Sequence, residues 1–192
     1  MKIVIISGSP RKNANTQIMM RHVFEYTKSK NVDTKFINLS EDGFDYYHGF
    51  LNEVEYGEKT LQAAKDITDA DIWLIGTPIY NSMFSAALKN LFEFINYKQT
   101  SGKTAGLAIL ASGNIGFTDV QTLLTQLMSY FKVITNPSPV FVTADTIEDG
   151  KIVSEEVKSR LNELVDSTIT LSRSESVSYT HLRAHETLRY LV

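Results

Sequence analysis

The sequence predicts an α/β protein: a doubly wound, five-stranded parallel sheet in the order 2-1-3-4-5, with helices on both faces. Three observations carry this. Short apolar, β-branched runs alternate strictly with segments of helical apolar spacing, five of each. The first run, Ile3–Ile6, is apolar at every position, as in a central strand buried on both faces, whereas the second, Thr34–Leu39, half alternates and reads as an edge. The chain has 192 residues, 43% of them hydrophobic, enough for one core in one domain. Right-handed crossovers leave two common strand orders, and five strands favour 2-1-3-4-5.

The elements follow in order. Ile3–Ile6 stops at Ser7-Gly8-Ser9-Pro10, a cluster of turn residues. From Asn15 to Lys30, the positions Ile18, Met19, His22, Val23 and Tyr26 recur at helical spacing. After the second strand, Ser40–Gly57 is irregular. Its aromatics Phe44, Tyr46, Tyr47, Phe50 and Tyr56 lie between glycines, and such a long loop usually covers something. Glu58–Ala70 reads as a helix with Leu61, Ala64 and Ile67 inward, followed by the strand Asp71–Gly76. Ser82–Tyr97 is an apolar helix, Thr104–Ala111 the fourth strand, Phe117–Phe131 the fourth helix and Pro139–Thr143 the fifth strand. Glu155 to about Leu171 closes the pattern, with the stripe Val157, Leu161, Leu164, Val165 and Ile169.

The domain is therefore expected to span residues 1–172. Residues 173–192 fall outside the pattern. Their stretch V-S-Y-T-H-L-R-A-H-E-T resembles a translated sequencing-adapter read, and the segment is set aside as a non-native extension; the alternative is a genuine sixth helix.

Composition narrows the function. Nineteen basic against 22 acidic side chains give a net charge of −3, which argues against a nucleic-acid partner. The absence of cysteine excludes disulfides, Cys-ligated zinc or iron–sulfur clusters and a thiol nucleophile, and fits a cytoplasmic setting. No apolar run approaches the roughly 18 residues of a membrane span, and Met1–Pro10 has too short an apolar run for a secretory signal. His181 and His185 have the i, i+4 spacing of a metal pair, but both lie in the segment set aside.

In an open parallel sheet, ligands bind beyond the carboxyl ends of the strands, where the strand order reverses. The loops after the first, third and fourth strands are therefore the candidates. The first, G-S-P-R-K-N-A-N-T-Q, leads from a buried strand into a helix, whose N-terminal N–H groups favour an anion. Ser9, Asn13, Asn15, Thr16 and Gln17 add donors, and Arg11 and Lys12 add positive charge. The loop matches neither G-x-x-x-x-G-K-[ST] nor G-x-G-x-x-G, so one terminal phosphate fits better than a pyrophosphate. The plainer alternative is a helix cap made by Asn13, Asn15 or Thr16. The second loop, T-P-I-Y-N-S-M-F-S, offers apolar and flat surface at Ile79 and Tyr80 and an amide at Asn81. The third, A-S-G-N-I-G-F, lets a ligand approach the backbone at Gly113 and Gly116, with Ser112 and Asn114 for its polar edge.

Together, K-I-V-I-I-S-G-S-P-R-K-N-A-N-T, G-T-P-I-Y-N-S-M-F-S-A-A-L-K-N-L-F-E-F and the glycine-bearing third loop resemble the NADPH-dependent FMN reductase family of the flavodoxin-like superfamily. The small bacterial azobenzene and quinone reductases are the nearest likeness. The resemblance implies FMN as cofactor and NADPH or NADH as co-substrate. Ser9, Arg11, Asn15 and Thr16 would hold the FMN phosphate, with Gln17 adjacent. Pro78, Ile79, Tyr80 and Asn81 would run along the ribityl chain and ring edge, and Ser82 would narrow the space above the ring. Ser112, Gly113, Asn114 and Gly116 would meet the pyrimidine side, with the N–H groups of Gly113 and Asn114 facing its developing negative charge. No catalytic side chain is implied, because the chemistry belongs to the flavin. The acceptor would be a small molecule: a flavin, quinone, azo or nitroaromatic compound. Lys89 would be a structural or dimer-contact residue, and the chain a homodimer or dimer of dimers.

This chain departs from the family pattern in four places. Ile79 stands where many members have glutamate, Ala14 where many have serine, and Ser82 and Ala86 where glycine is common. The alternative readings are a flavodoxin-type electron carrier and a binding module without cofactor. No basic cluster beyond Arg11 and Lys12 is visible in the sequence.

Overall fold

The computed structural model describes residues 1–49 and 55–189. Its main sheet is parallel, in the order β2-β1-β3-β4-β5, as the strand pattern predicts. The strands are β1 (Lys2–Ser7), β2 (Asp33–Asn38), β3 (Ile72–Pro78), β4 (Thr104–Ala111), β5 (Ile134–Thr135) and β6 (Val140–Thr143). Side chains of successive strand residues point to opposite faces, and the sheet carries a core on each. Ile3, Ile5, Ile72, Leu74 and Leu110 pack on α1 (Asn15–Lys28) and α5 (Glu155–Arg189). Val4, Ile6, Trp73, Ile75, Leu107 and Ile109 pack on α2 (Glu58–Asp69), α3 (Ala86–Glu93) and α4 (Phe117–Tyr130). The Trp73 indole is fully buried, and its N–H donates to the Ile67 carbonyl at 2.8 Å.

The predicted fifth strand, Pro139–Thr143, is present as β6. What the pattern did not single out is the two-residue β5 before it, which makes the sheet six-stranded; both pieces pair with β4. Pro137 and Pro139 fall between them, and proline has no N–H for the ladder. Asn136 bridges the break: its Nδ2 donates to Ser167 Oγ at 2.8 Å and Thr168 Oγ1 at 2.9 Å on α5, while its Oδ1 accepts from the Ser138 N–H. A hairpin that the sequence pattern did not single out, β7 (Ile147–Glu148) and β8 (Lys151–Ile152), follows β6. Its turn, Asp149-Gly150, has φ of 45° and 75°, the left-handed pair that a tight hairpin requires.

The third helix is shorter than the apolar run Ser82–Tyr97 suggests. It starts at Ala86, because Ser85 caps it by accepting the Leu88 N–H at 3.1 Å. It ends at Glu93, and a 3₁₀ turn follows at Tyr97–Gln99. Lys89 forms an i, i+4 ion pair with Glu93. In α2 the inward residues are Thr60, Ala63, Ala64 and Ile67, and Leu61 is 48% exposed. Thr60 turns the helix this way: its Oγ1 donates to Asp45 Oδ2 at 2.7 Å and accepts the Asp45 N–H at 2.9 Å.

Asp45 Oδ2 also accepts the Gly57 N–H at 2.8 Å, so one carboxylate ties the segment after β2 to the start of α2. The Thr60 hydroxyl and the Gly57 N–H hold its pKa below the ordinary aspartate value. A depressed carboxylate pKa stabilises the fold above the unfolded-state pKa and ceases to do so as pH falls through the folded-state value. The stability gap between the wild type and Asp45→Asn is therefore expected to be full at neutral pH and to close on acidification through the carboxylate range. Thermal unfolding at several pH values checks this; a gap independent of pH contradicts it.

The aromatic segment covers its own sheet face. Tyr47 and Tyr56 meet Phe94 edge to face at 5.2 and 4.8 Å, and Phe44 packs on the same core; Phe50 lies outside the described residues. His48 is exposed and stacks on Tyr56. His22 is half-buried on the α1–α5 seam, with Nε2 2.9 Å from Asn162 Oδ1. The α5 helix runs on through residues 173–189 as a continuation, not as a separate sixth helix. Among the described side chains its last buried apolar residue is Ile169, and the side chains of His181 and His185 lie outside the described ones.

Candidate functional site

The loops after β1, β3 and β4 meet at the carboxyl edge of the sheet. The first continues the β1–β3 pairing by one bond, Gly8 N–H to the Gly76 carbonyl at 2.8 Å. Ser9 next to it is fully buried. Its Oγ lies 3.2 Å from the Tyr80 hydroxyl on the second loop and accepts the Arg11 N–H at 3.2 Å. The second loop is joined to β4 through Ile79 N–H and the Leu110 carbonyl at 2.8 Å. It touches the third loop too: a methyl group added at Gly116 would sit 3.5 Å from the Ile79 side chain.

Pro78 is not a loop residue. It ends β3 and is buried, paired across from Leu110. The second loop proper is a tight turn in which Tyr80 and Met83 exchange both backbone hydrogen bonds, at 2.9 and 3.0 Å. Its central residues, Asn81 and Ser82, have φ of 49° and 63°. Asparagine tolerates that region; serine at this position carries a penalty of about 1–2 kcal/mol. Ser82→Gly is expected to raise stability by roughly 0.5–1 kcal/mol after glycine's own entropy cost, read as a higher Tm. A lower Tm would mean that the Ser82 side chain makes a compensating contact.

The start of α1 is unusual within the molecule. Its N-cap is Ala14, no side chain caps it, and its first turn holds no acidic residue. The other helices are capped or acidic at that end: Ser85 caps α3, and Glu58, Asp119 and Glu155 stand in the first turns of α2, α4 and α5. The capping role left open for Asn13, Asn15 or Thr16 is not taken up. Thr16 is 1% exposed, and its hydroxyl makes no hydrogen bond among the described residues. Arg11 is exposed and has no ion pair among them, whereas Lys12 is engaged by Asp42 at 3.0 Å. Free N–H groups, a positive helix end, an unengaged hydroxyl and a guanidinium form a donor set for one phosphate monoester.

Not every predicted residue reaches this junction. Asn15 opens α1, and with Gln17 it also lines a neighbouring groove between α1, the β7–β8 hairpin and α5, which no residue of the second or third loop borders. Ser112, Gly113 and Asn114 are exposed and make no hydrogen bond to the other two loops; a Cβ at Gly113 would meet nothing within 4 Å. Another cavity, of about 820 Å³, lies between residues 39–47 and α3, with Pro10 and Lys12 at its border.

The sequence profile of the NADPH-dependent FMN reductases matches residues 1–147. The chain belongs to that family. Among its relatives is an NAD(P)H-dependent FAD/FMN reductase of Geobacillus thermodenitrificans, 26% identical over 167 residues, covering 85% of this chain and 89% of the relative. An NADPH azoreductase of a Bacillus species is 26% identical over 171 residues, covering 86% and 89%. Two solved structures share the fold: the apo form of the NADH:FMN oxidoreductase EMOB, with a TM-score of 0.72 at 20% identity over 88% of this chain and 89% of that one, and FerB, a flavoenzyme NAD(P)H:acceptor oxidoreductase of Paracoccus denitrificans, with the same TM-score and identity over 91% and 98%.

In this FMN reductase family member, the donor set at α1 fits an FMN phosphate, and the junction of Ile79, Tyr80 and Gly116 presents apolar and aromatic surface next to it. The sequence reading missed a basic site. Arg21, Lys151 and Lys158 line the groove that Asn15 and Gln17 border. The signal that leads to it is the Asp149-Gly150 pair, which marks the hairpin that carries Lys151 back towards α1.

Proposed function

We propose that this carboxyl edge holds FMN, and that the chain passes reducing equivalents from a nicotinamide coenzyme to a small acceptor such as an azo compound, quinone, nitroaromatic or free flavin. Its family makes the chain an FMN-dependent NAD(P)H oxidoreductase. The observation that supports the placement is the Ser9–Tyr80 contact of 3.2 Å, beside the one helix start that has neither cap nor acid among the described residues.

FMN, when bound, would supply the redox chemistry between the nicotinamide and the acceptor. The chain's residues bind and orient it. The N–H groups opening α1, the Thr16 hydroxyl and the Arg11 guanidinium hold the phosphate. Ser9 fixes the Tyr80 phenol and thereby the second loop, and Ile79 against Gly116 gives the ring an apolar support. Asn81, in the tight turn beside it, would border the ring's edge. Ser112, Gly113 and Asn114, open to solvent, supply hydrogen-bond donors to the pyrimidine side. No side chain of this chain is required as acid, base or nucleophile. Exposed Tyr80, Met83 and Ile115 rim the site and support a second copy of the chain as its outer wall, in a homodimer in the cytoplasm.

An absorbance spectrum of the purified protein tests the reading. The expected result is a yellow protein, or one that takes up added FMN, whose flavin band bleaches within seconds of adding NAD(P)H and returns with a quinone or azo dye. A colourless protein that does not take up FMN overturns it. Uptake without bleaching by either coenzyme leaves an electron carrier instead.

A further inference from the structure

The fold assembles a basic site from residues far apart in sequence. Arg21 on α1, Lys151 on β8 and Lys158 on α5 line one groove of about 790 Å³, and no carboxylate stands in its wall. In a chain with a net charge of −3, that is a local reversal of sign. A cleft lined by one sign of charge concentrates the opposite ion. Lys151 makes no ion pair among the described residues and remains available to a ligand. The Arg21 guanidinium also has none, but it lies 4.5 Å over the Phe36 ring, outside the groove wall, so the two lysines carry the charge of the groove and Arg21 borders it. Lys158 pairs with Glu155, whose side chain is 84% exposed and outside the groove wall. The amides of Asn13 and Gln17 border the same space and have no hydrogen-bond partner among the described residues. Two lysines with neutral amide donors suit a phosphate dianion better than a carboxylate or an apolar ligand.

The groove adjoins the FMN site through the first loop. Ser9, at the loop junction, and Asn13, at the groove, are four residues apart, at most about 14 Å of extended chain. A dinucleotide, with two sugars and a diphosphate between its bases, is built to span such a gap.

We propose that this groove binds the phosphate monoester on the adenosine side of NADPH and so selects NADPH over NADH. The identity of the coenzyme rests on the reductase reading above; the anion site does not. Two measurements test it. In FMN-loaded protein, Lys151→Glu is expected to raise KM for NADPH about tenfold or more, to change KM for NADH less than twofold and to leave kcat unchanged. Lys151 sits on an exposed hairpin, so the variant is expected to fold; Lys151→Gln with Lys158→Gln gives the same readout without charge reversal. Separately, 2′-AMP titrated into the unloaded chain is expected to bind measurably more tightly than 5′-AMP, and Lys151→Glu to abolish the difference. Equal KM changes for both coenzymes, a wild type that prefers NADH, or no preference between 2′-AMP and 5′-AMP overturns the proposal. If the chain takes up no FMN, the reductase reading fails while the 2′-AMP titration still decides the groove.

Discussion

Gly8→Ala is expected to destabilise the protein by about 3 kcal/mol, the upper part of the range for overpacking a filled core. The added Cβ would lie 2.7 Å from the Gly76 carbonyl oxygen and 3.3 Å from Leu88 Cδ2. Neither side can give way easily. The Gly8 N–H is bonded to that same carbonyl at 2.8 Å, and the Gly8 carbonyl accepts from the Ser85 hydroxyl that caps α3. Gly8 thus fastens β1, β3 and α3 at the point where the site begins. For a chain of this size, the expected fall in Tm is roughly 6–12 °C. Gly113→Ala is the control: nothing lies within 4 Å of its added Cβ, and its Tm should be unaltered. If both variants unfold at the same temperature, the close approach at Gly8 is not what holds this corner together.

Arg11→Glu is expected to raise the Kd for FMN by about 10- to 100-fold, or 1.4–2.8 kcal/mol. Arg11 is exposed, has no ion pair among the described residues and precedes the acid-free start of α1 by four positions. The variant replaces an attractive charge near a phosphate dianion with a repulsive one. Riboflavin, which has the ring but no phosphate, should bind wild type and variant alike. Added salt should narrow the difference for FMN, since an exposed charge is screened. Fluorescence titration with both ligands measures this. An unchanged FMN Kd, or an equal loss for riboflavin, would remove Arg11 from the phosphate site.

Much of this was legible in the residues. The sheet order followed from runs such as Ile3–Ile6, whose apolar residues at consecutive positions leave no solvent face. The meeting of the three loops followed from that order, because topology alone brings those strand ends together. What was not legible depends on contacts distant in sequence. Leu61 fits an inward stripe until Thr60 finds Asp45, fifteen residues back, and rotates the helix. Ser82 reads as helical until Tyr80 and Met83 pair and force it to a positive φ. Gln17 belongs with the phosphate donors by position, yet the groove it borders faces a hairpin some 130 residues later, built by Asp149-Gly150. The basic groove was invisible for the same reason: Arg21, Lys151 and Lys158 become neighbours only when α1 and α5 share a sheet face.

The break between β5 and β6 bears on how the molecule behaves in a crowd. A strand at the border of a sheet offers unpaired N–H and C=O groups to any passing extended chain. Here that border is two pieces of two and four residues, with Pro137 and Pro139 in the gap. The opposite border, β2, exposes Asp33 and Lys35. Neither flank offers the long, uncharged template on which aggregation by strand addition grows, so replacing both prolines with β-formers would open a route to fibrils that the native chain keeps shut.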